Sequence, residues 1–293
     1  MSIIAGFTEG KATVNGVEIA YATGGSGPPL LLLHGFPQTH AMWRDVAPAL
    51  AQHFTVVASD LRGYGASGKP RGDGAFSFRN MAKDQQALMA HLGLDRFHLV
   101  GHDRGGRTAH RLALDHPDCV LSLTVMDIIP THLLLDELNR HVARAYYHWF
   151  FLAQPEPFPE TMIAHDPDAF FESCLLGWGS AHIAEFDPVA LDAYRTAWRH
   201  PETIRGMCAD YRDALSVDFA DDAADLGAKV TCPALVMYGA DGAMAQAYDV
   251  PATWADRLSN MQGVGIPGSH FFVDQQPKET TAALMTFLTS QPA

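Results

Sequence analysis

The chain has 293 residues, 47% hydrophobic and 18% charged, enough apolar material for one large α/β domain with an insertion. Its formal net charge of −13 argues against nucleic acid or an anionic membrane surface as a partner, since both are repelled. Residues Met1–Phe7 hold no basic stretch ahead of an apolar run, no apolar stretch reaches membrane-spanning length, and Cys119, Cys174, Cys208 and Cys232 are scattered, so a soluble cytoplasmic protein with reduced thiols is expected.

In chain order, Val17–Thr23 and Pro29–Leu33 read as strands, the second running into His34-Gly35-Phe36-Pro37. Met42–Ala51 has a helical period, and Thr55–Ser59 is a short strand ending at Asp60. A polar loop carrying Arg62, Tyr64 and Ser67 leads to a helix near Phe78–Leu92. A strand then ends at His102, a helix follows from about Arg104 to Asp115, and the strand Val120–Met126 closes on Asp127. Alternating strands and helices imply a parallel sheet covered on both faces, with ligands beyond the carboxyl ends of the strands. From Ile128 to Val217 the alternation stops; aromatics, His and Pro dominate, which predicts a helical cap over 128–217 inserted into a core of 1–127 and 218–293. The acidic run Asp218–Asp225 reads as a solvated connection leaving the cap. Strands resume at Ala234–Gly239 and Met261–Ile266, and a helix from about Gln276 to Ser290 finishes the chain.

The most informative motif is Gly101-His102-Asp103-Arg104-Gly105, where an apolar strand turns into a helix. This is nucleophile-elbow spacing with a carboxylate at the reactive position. A carboxylate suits displacement at a saturated carbon, which leaves an alkyl ester that water and a base must then open. The bland alternative for Asp103 is a helix cap. Arg104 and Arg107, spaced i and i+3, present two guanidinium forks beside it, a pairing suited to the carboxylate of a small acid substrate. The bland alternative for either arginine singly is an ordinary ion pair with an acid such as Asp127. The carboxylate that orients a catalytic histidine is open between Asp127, after one strand, and Asp241 in Tyr238-Gly239-Ala240-Asp241-Gly242, after the next. In the cap, Tyr146-Tyr147-His148-Trp149-Phe150 sets an imidazole N–H beside an indole N–H, and Tyr211 adds a phenol. Such donors suit a departing anion, although an aromatic run on a cap helix is as readily simple packing. Trp178 is a possible pocket wall. The histidines show no helical metal-ligand spacing, so no metal and no cofactor are expected.

The whole chain resembles the α/β-hydrolase superfamily, and His34-Gly35-Phe36-Pro37 with Gly101-His102-Asp103 resembles its epoxide hydrolase and dehalogenase branch. Asp103-Arg104-Gly105-Gly106-Arg107, Asp127-Ile128-Ile129-Pro130-Thr131 and His148-Trp149 are similar to the fluoroacetate (haloacetate) dehalogenases. That resemblance implies a mostly parallel eight-stranded sheet flanked by helices with a helical cap, and a homodimer. It makes Asp103 the nucleophile, His270 the base, Asp127 rather than Asp241 the orienting acid, and the main-chain N–H groups of Phe36 and Arg104 the oxyanion hole. It makes His148, Trp149 and Tyr211 the halide cradle, and favours a cis Phe36–Pro37 bond. Hydrolysis of haloacetates is the expected reaction. Epoxide hydrolysis, with Tyr147 and Tyr211 as acids, is the runner-up, and a binding protein on a retired scaffold is the third possibility.

Overall fold

The computed structural model describes residues 2–177 and 181–291. One sheet holds eight strands: β1 (Thr8–Val14), β2 (Val17–Gly25), β3 (Pro29–Leu33), β4 (Thr55–Ser59), β5 (Phe97–His102), β6 (Val120–Met126), β7 (Ala234–Gly239) and β8 (Met261–Ile266). Their order is β1-β2-β4-β3-β5-β6-β7-β8, antiparallel at β1-β2-β4 and parallel from there on. The chain leaves β3 for β4 on one side and returns to place β5 on the other, which opens a crevice at the carboxyl ends of β3 and β5.

Leu30, Leu31, Leu32 and Leu33 are all fully buried, as a central strand covered on both faces requires. Two groups of helices do the covering, Phe78–His91 with Arg104–Asp115 and Ala47–Leu50 with Pro277–Leu288. β1 has no counterpart among the expected strands, because only its Ala12 and Val14 are buried and the apolar alternation is faint. It pairs with β2 through Asn15-Gly16, both at positive φ, the backbone that an Asn-Gly hairpin turn demands.

Between β6 and β7 the described residues form helices and turns without strands, from Thr131–Asp136 through to Phe219–Ala224. The acidic run corrects the expectation of a solvated connection. Phe219–Ala224 is helical, Asp218 and Asp222 are buried, and the carboxylates have partners: Asp218 accepts the Phe78 N–H, Asp222 the His132 N–H, and Asp221 and Asp225 pair with Arg79 and Arg111. Complementary arginines from distant helices convert what composition reads as a solvated charge run into an internal seam. Trp178 lies outside the described residues. Among those residues no helix is long and apolar enough to cross a membrane.

Candidate active site

β5 ends at His102, and Asp103 bridges it to the helix Arg104–Asp115 with φ 48° and ψ −113°. Side chains rarely adopt that backbone; it costs on the order of 1–3 kcal/mol and aims the carboxylate out of the sheet edge. Tight approach is what the flanking glycines permit. A Cβ on Gly101 would lie 2.3 Å from the Gly105 carbonyl, and one on Gly105 would lie 2.5 Å from the Leu33 and His34 carbonyls. His34 braces the neighbouring loop: its Nε2 accepts the Leu61 N–H at 3.0 Å, so its Nδ1–H donates to the Gly35 carbonyl at 2.9 Å. Beyond it, before a cis bond to Pro37, the Phe36 N–H donates to Asp103 Oδ1 at 2.9 Å. Arg104 opens its helix, so its own N–H has no intrahelical acceptor. Burial opposes the charge on Asp103, but His270, His102, Arg104 and the Phe36 N–H outweigh it and bring the carboxyl down to about 2.

His270 follows β8 in the loop Pro267–Phe271, and its Nε2 stands 3.8 Å from Asp103 Oδ2. Its Nδ1 lies 2.6 Å from Asp127 Oδ2, while Asp127 Oδ1 accepts the Gly239 N–H at 2.8 Å. Of the two acids considered, Asp127 is therefore the one within reach of the ring. Asp241 is exposed and instead accepts the Gly268 N–H at 2.9 Å, holding the loop from outside. Burial lowers the pKa of His270, but the Asp127 hydrogen bond and the charges of Asp127 and Asp103 overcome it and leave it raised.

The two arginines take different partners. Arg104 is fully buried and gives Nε (2.9 Å) and Nη2 to the carboxylate of Asp210, leaving only Nη1 without a partner. Asp210 also accepts the Tyr64 hydroxyl at 2.6 Å. Burial disfavours the charge on Arg104, and the facing Asp210 more than restores it. Arg107 donates from Nη1 to the Ile129 carbonyl (3.0 Å) and Thr131 Oγ1 (2.9 Å), and its Nε has no partner. Burial lowers its pKa to about 10, so it remains a cation at neutral pH.

The Trp149 ring lies 5.0 Å from the Arg104 guanidinium and 4.8 Å from that of Arg107, and meets Tyr211 edge-on at 5.2 Å. The Trp149 Nε1 and the Tyr211 hydroxyl are buried and have no hydrogen-bond partner. His148 stacks on Phe36 at 5.6 Å, and burial above all lowers its pKa to about 3, so its ring is neutral.

Phe36, Asp103, Tyr146, His148, Cys174, Tyr211, His270 and Phe271 enclose a cavity of ≈ 10 Å³, room for about one water molecule. Arg104, Arg107 and Trp149 are not among its walls; they stand in the layer behind. Sequence reasoning missed Tyr146, Cys174 and Phe271 as walls and Asp210 as the partner of Arg104. For Asp210 a signal existed, since it is the acid immediately before Tyr211 in the helix Pro201–Asp213. Among the described residues no group of three or more His, Cys, Asp or Glu side chains is placed to hold a metal ion.

An alpha/beta hydrolase fold family model matches residues 28–277. The chain is 55% identical to a fluoroacetate dehalogenase of Burkholderia sp, over 97% of this chain and 94% of that protein. It is 33% identical to the soluble epoxide hydrolase of Corynebacterium sp. (strain C12), covering 92% and 93% of the two. The solved structure of the epoxide hydrolase CorEH without ligand superposes with a TM-score of 0.89 at 31% identity, covering 97% and 99%.

Proposed function

Because the chain belongs to the α/β-hydrolase family, with a fluoroacetate dehalogenase among its homologues, we propose that it hydrolyses haloacetates, fluoroacetate included, to glycolate and halide. The observation that carries this reading is the company of Asp103: a guanidinium layer behind it and two buried, unpartnered donors, Trp149 Nε1 and Tyr211 OH, at the same site. A neutral epoxide needs no such cations. An anion that sheds a halide uses both.

The geometry supports a division of labour within one carboxylate. Oδ1 is engaged by the Phe36 N–H, so Oδ2, on the His270 side, attacks the halogen-bearing carbon. As the carbon–oxygen bond forms, the carbon–halogen bond breaks and the halide leaves with the electron pair toward His148, Trp149 and Tyr211. Fluoride is a basic, poorly polarisable leaving group, so converging donors in a dry site matter most for it. Arg107, and Arg104 through its remaining Nη1, hold the substrate carboxylate. His270 Nε2 then takes a proton from water, whose oxygen adds to Cγ of Asp103. The Phe36 and Arg104 N–H groups hold the charge that builds on Oδ1. Collapse breaks the Cγ–Oδ2 bond, glycolate departs with Oδ2 and takes the proton back from His270, and the restored Asp103 carboxyl loses its own proton to solvent. Asp127 fixes the His270 tautomer and stabilises the imidazolium. In this reading the helices of 128–217 are a cap over the core of 1–127 and 218–293, the enzyme works in the cytoplasm, and, on the family resemblance, it is a homodimer.

The test is incubation with fluoroacetate, chloroacetate and styrene oxide separately, measuring halide and diol. Halide from the haloacetates without diol from styrene oxide is the expected outcome. Diol without halide would establish the epoxide hydrolase reading instead.

A further inference from the structure

The loop that carries His270 is tied to the inserted helices at two adjacent residues, and neither tie is used by the chemistry above. Asp274, in the short helix Phe272–Gln275, accepts the Tyr194 hydroxyl on Oδ1 (3.0 Å) and Gln38 Nε2 on Oδ2 (2.7 Å). Gln38 also reaches the Tyr194 oxygen, at 3.2 Å. Tyr194 belongs to the inserted helix Pro188–Trp198, and Gln38 lies two residues beyond the N–H that holds Asp103 Oδ1. Both side chains are fully buried. One carboxylate thus joins the oxyanion loop, the helical insertion and the base loop.

Gln275 makes the second tie. Its Oε1 accepts the Ser269 N–H (2.8 Å) and hydroxyl (3.0 Å), closing the turn that contains His270, and its Nε2 donates to Glu185 of the insertion at 2.6 Å. The other supports of that loop come from the core: His102 Nε2–H donates to the His270 carbonyl at 2.8 Å, and Asp241 holds Gly268.

We propose that Asp274 and Gln275 are positioning residues for the base, through which the helical insertion sets the aim of His270 at the ester on Asp103. The proposal rests on the two-step reading given above. A side chain one bond-rotation from its target is sensitive to displacements well below 1 Å, whereas in the first step, attack by Asp103, the His270 loop supplies walls of the cavity but no reacting group. The brace therefore bears on ester hydrolysis and not on halide release. Burial, opposed by the hydrogen bonds from Gln38 and Tyr194, pushes the Asp274 carboxyl up to about 7, with Asp45 as a like-charged neighbour. Along the same seam, Arg44 pairs with Asp187 at the start of the Tyr194 helix at 3.1 Å, and Glu185 accepts from Gln275. Protonation puts an O–H on one of the two accepting oxygens, where it faces a donor and weakens that bond, so the brace loosens as pH falls through about 7.

The experiment is rapid-quench kinetics with chloroacetate on wild type, Asp274→Asn, Gln275→Glu and Tyr194→Phe, reading halide and the mass of the Asp103 peptide. Asp274→Asn should keep the halide burst within about threefold while ester hydrolysis slows roughly tenfold, as for other groups that orient a reacting residue. Ester should accumulate on Asp103, and the acid limb of ester hydrolysis should reduce to that of a single group. Tyr194→Phe, which removes one donor and keeps the ring, should show the same selectivity more weakly, and decides the matter if Asp274→Asn does not fold. Equal slowing of both steps, or of neither, overturns the proposal. A wild type that releases no halide overturns the parent reading instead.

Discussion

At the scale of single residues, the two steps of the proposed reaction titrate on different groups. Asp103 stays ionised far below neutrality, so the halide burst should be flat between roughly pH 5 and 8. His270 accepts a proton only when neutral, and its pKa is raised, so ester hydrolysis should fall as pH drops through a value above the ordinary ~6.5. One contribution to that elevation, the charge of Asp103, is gone in the ester, so the His270 limb in single-turnover ester hydrolysis, isolated in Asp274→Asn, should lie below the His270 pKa of the unesterified variant, read by NMR titration. An acid limb in the burst itself would mean that His270 acts in the first step. These residues differ in how readable they are. Asp103 announces itself because a strand-to-helix turn with glycines at ±2 has few other uses. Asp127 and Asp241 look alike from sequence, each closing a strand; only the fold brings one to 2.6 Å from His270 Nδ1 and turns the other toward Gly268. Asp210 sits beside a legible residue, Tyr211, but its pairing with Arg104, 106 positions away in sequence, carries no periodic signal and needs the fold to show it.

At the scale of elements, the elbow works because the helix Arg104–Asp115 starts in backbone contact with β3 and β5. Gly105→Ala places a methyl carbon 2.5 Å from two carbonyl oxygens, and backbone cannot yield as a side chain can. It should cost about 1–3 kcal/mol, a fall in Tm of roughly 2–10 °C in a thermal melt. An unchanged Tm would show that the helix start has slack and that the elbow is not fixed by this contact. Central strands such as Pro29–Leu33 are legible because burial on both faces leaves an unbroken apolar run. Thr8–Val14 is not, because an edge strand buries so little that its turn, Asn15-Gly16, is the stronger signal. The expected helix Met42–Ala51 is instead a 3₁₀ turn, His40–Trp43, and a short helix, Ala47–Leu50 with Pro48 in its first turn.

For the molecule as a whole, a chain of formal charge −13 keeps its site cations indoors. Arg104 and Arg107 are desolvated between the sheet's carboxyl edge and the helical insertion, where each interaction with an anion is far stronger than at the surface. Helices between β6 and β7 contribute Asp210 and Trp149 to that layer, and His148 and Tyr211 to the cavity wall in front of it. Composition reveals the surface charge but not this internal arrangement, which arises from residues spread over the length of the fold. The central claim, that an oxygen of Asp103 bonds to the substrate carbon, is tested most directly by single turnover in ¹⁸O-water with enzyme in excess over chloroacetate. The account predicts one labelled oxygen in the Asp103 carboxylate and unlabelled glycolate. Labelled glycolate with no label in Asp103 would mean that water attacks the substrate directly, and would contradict it.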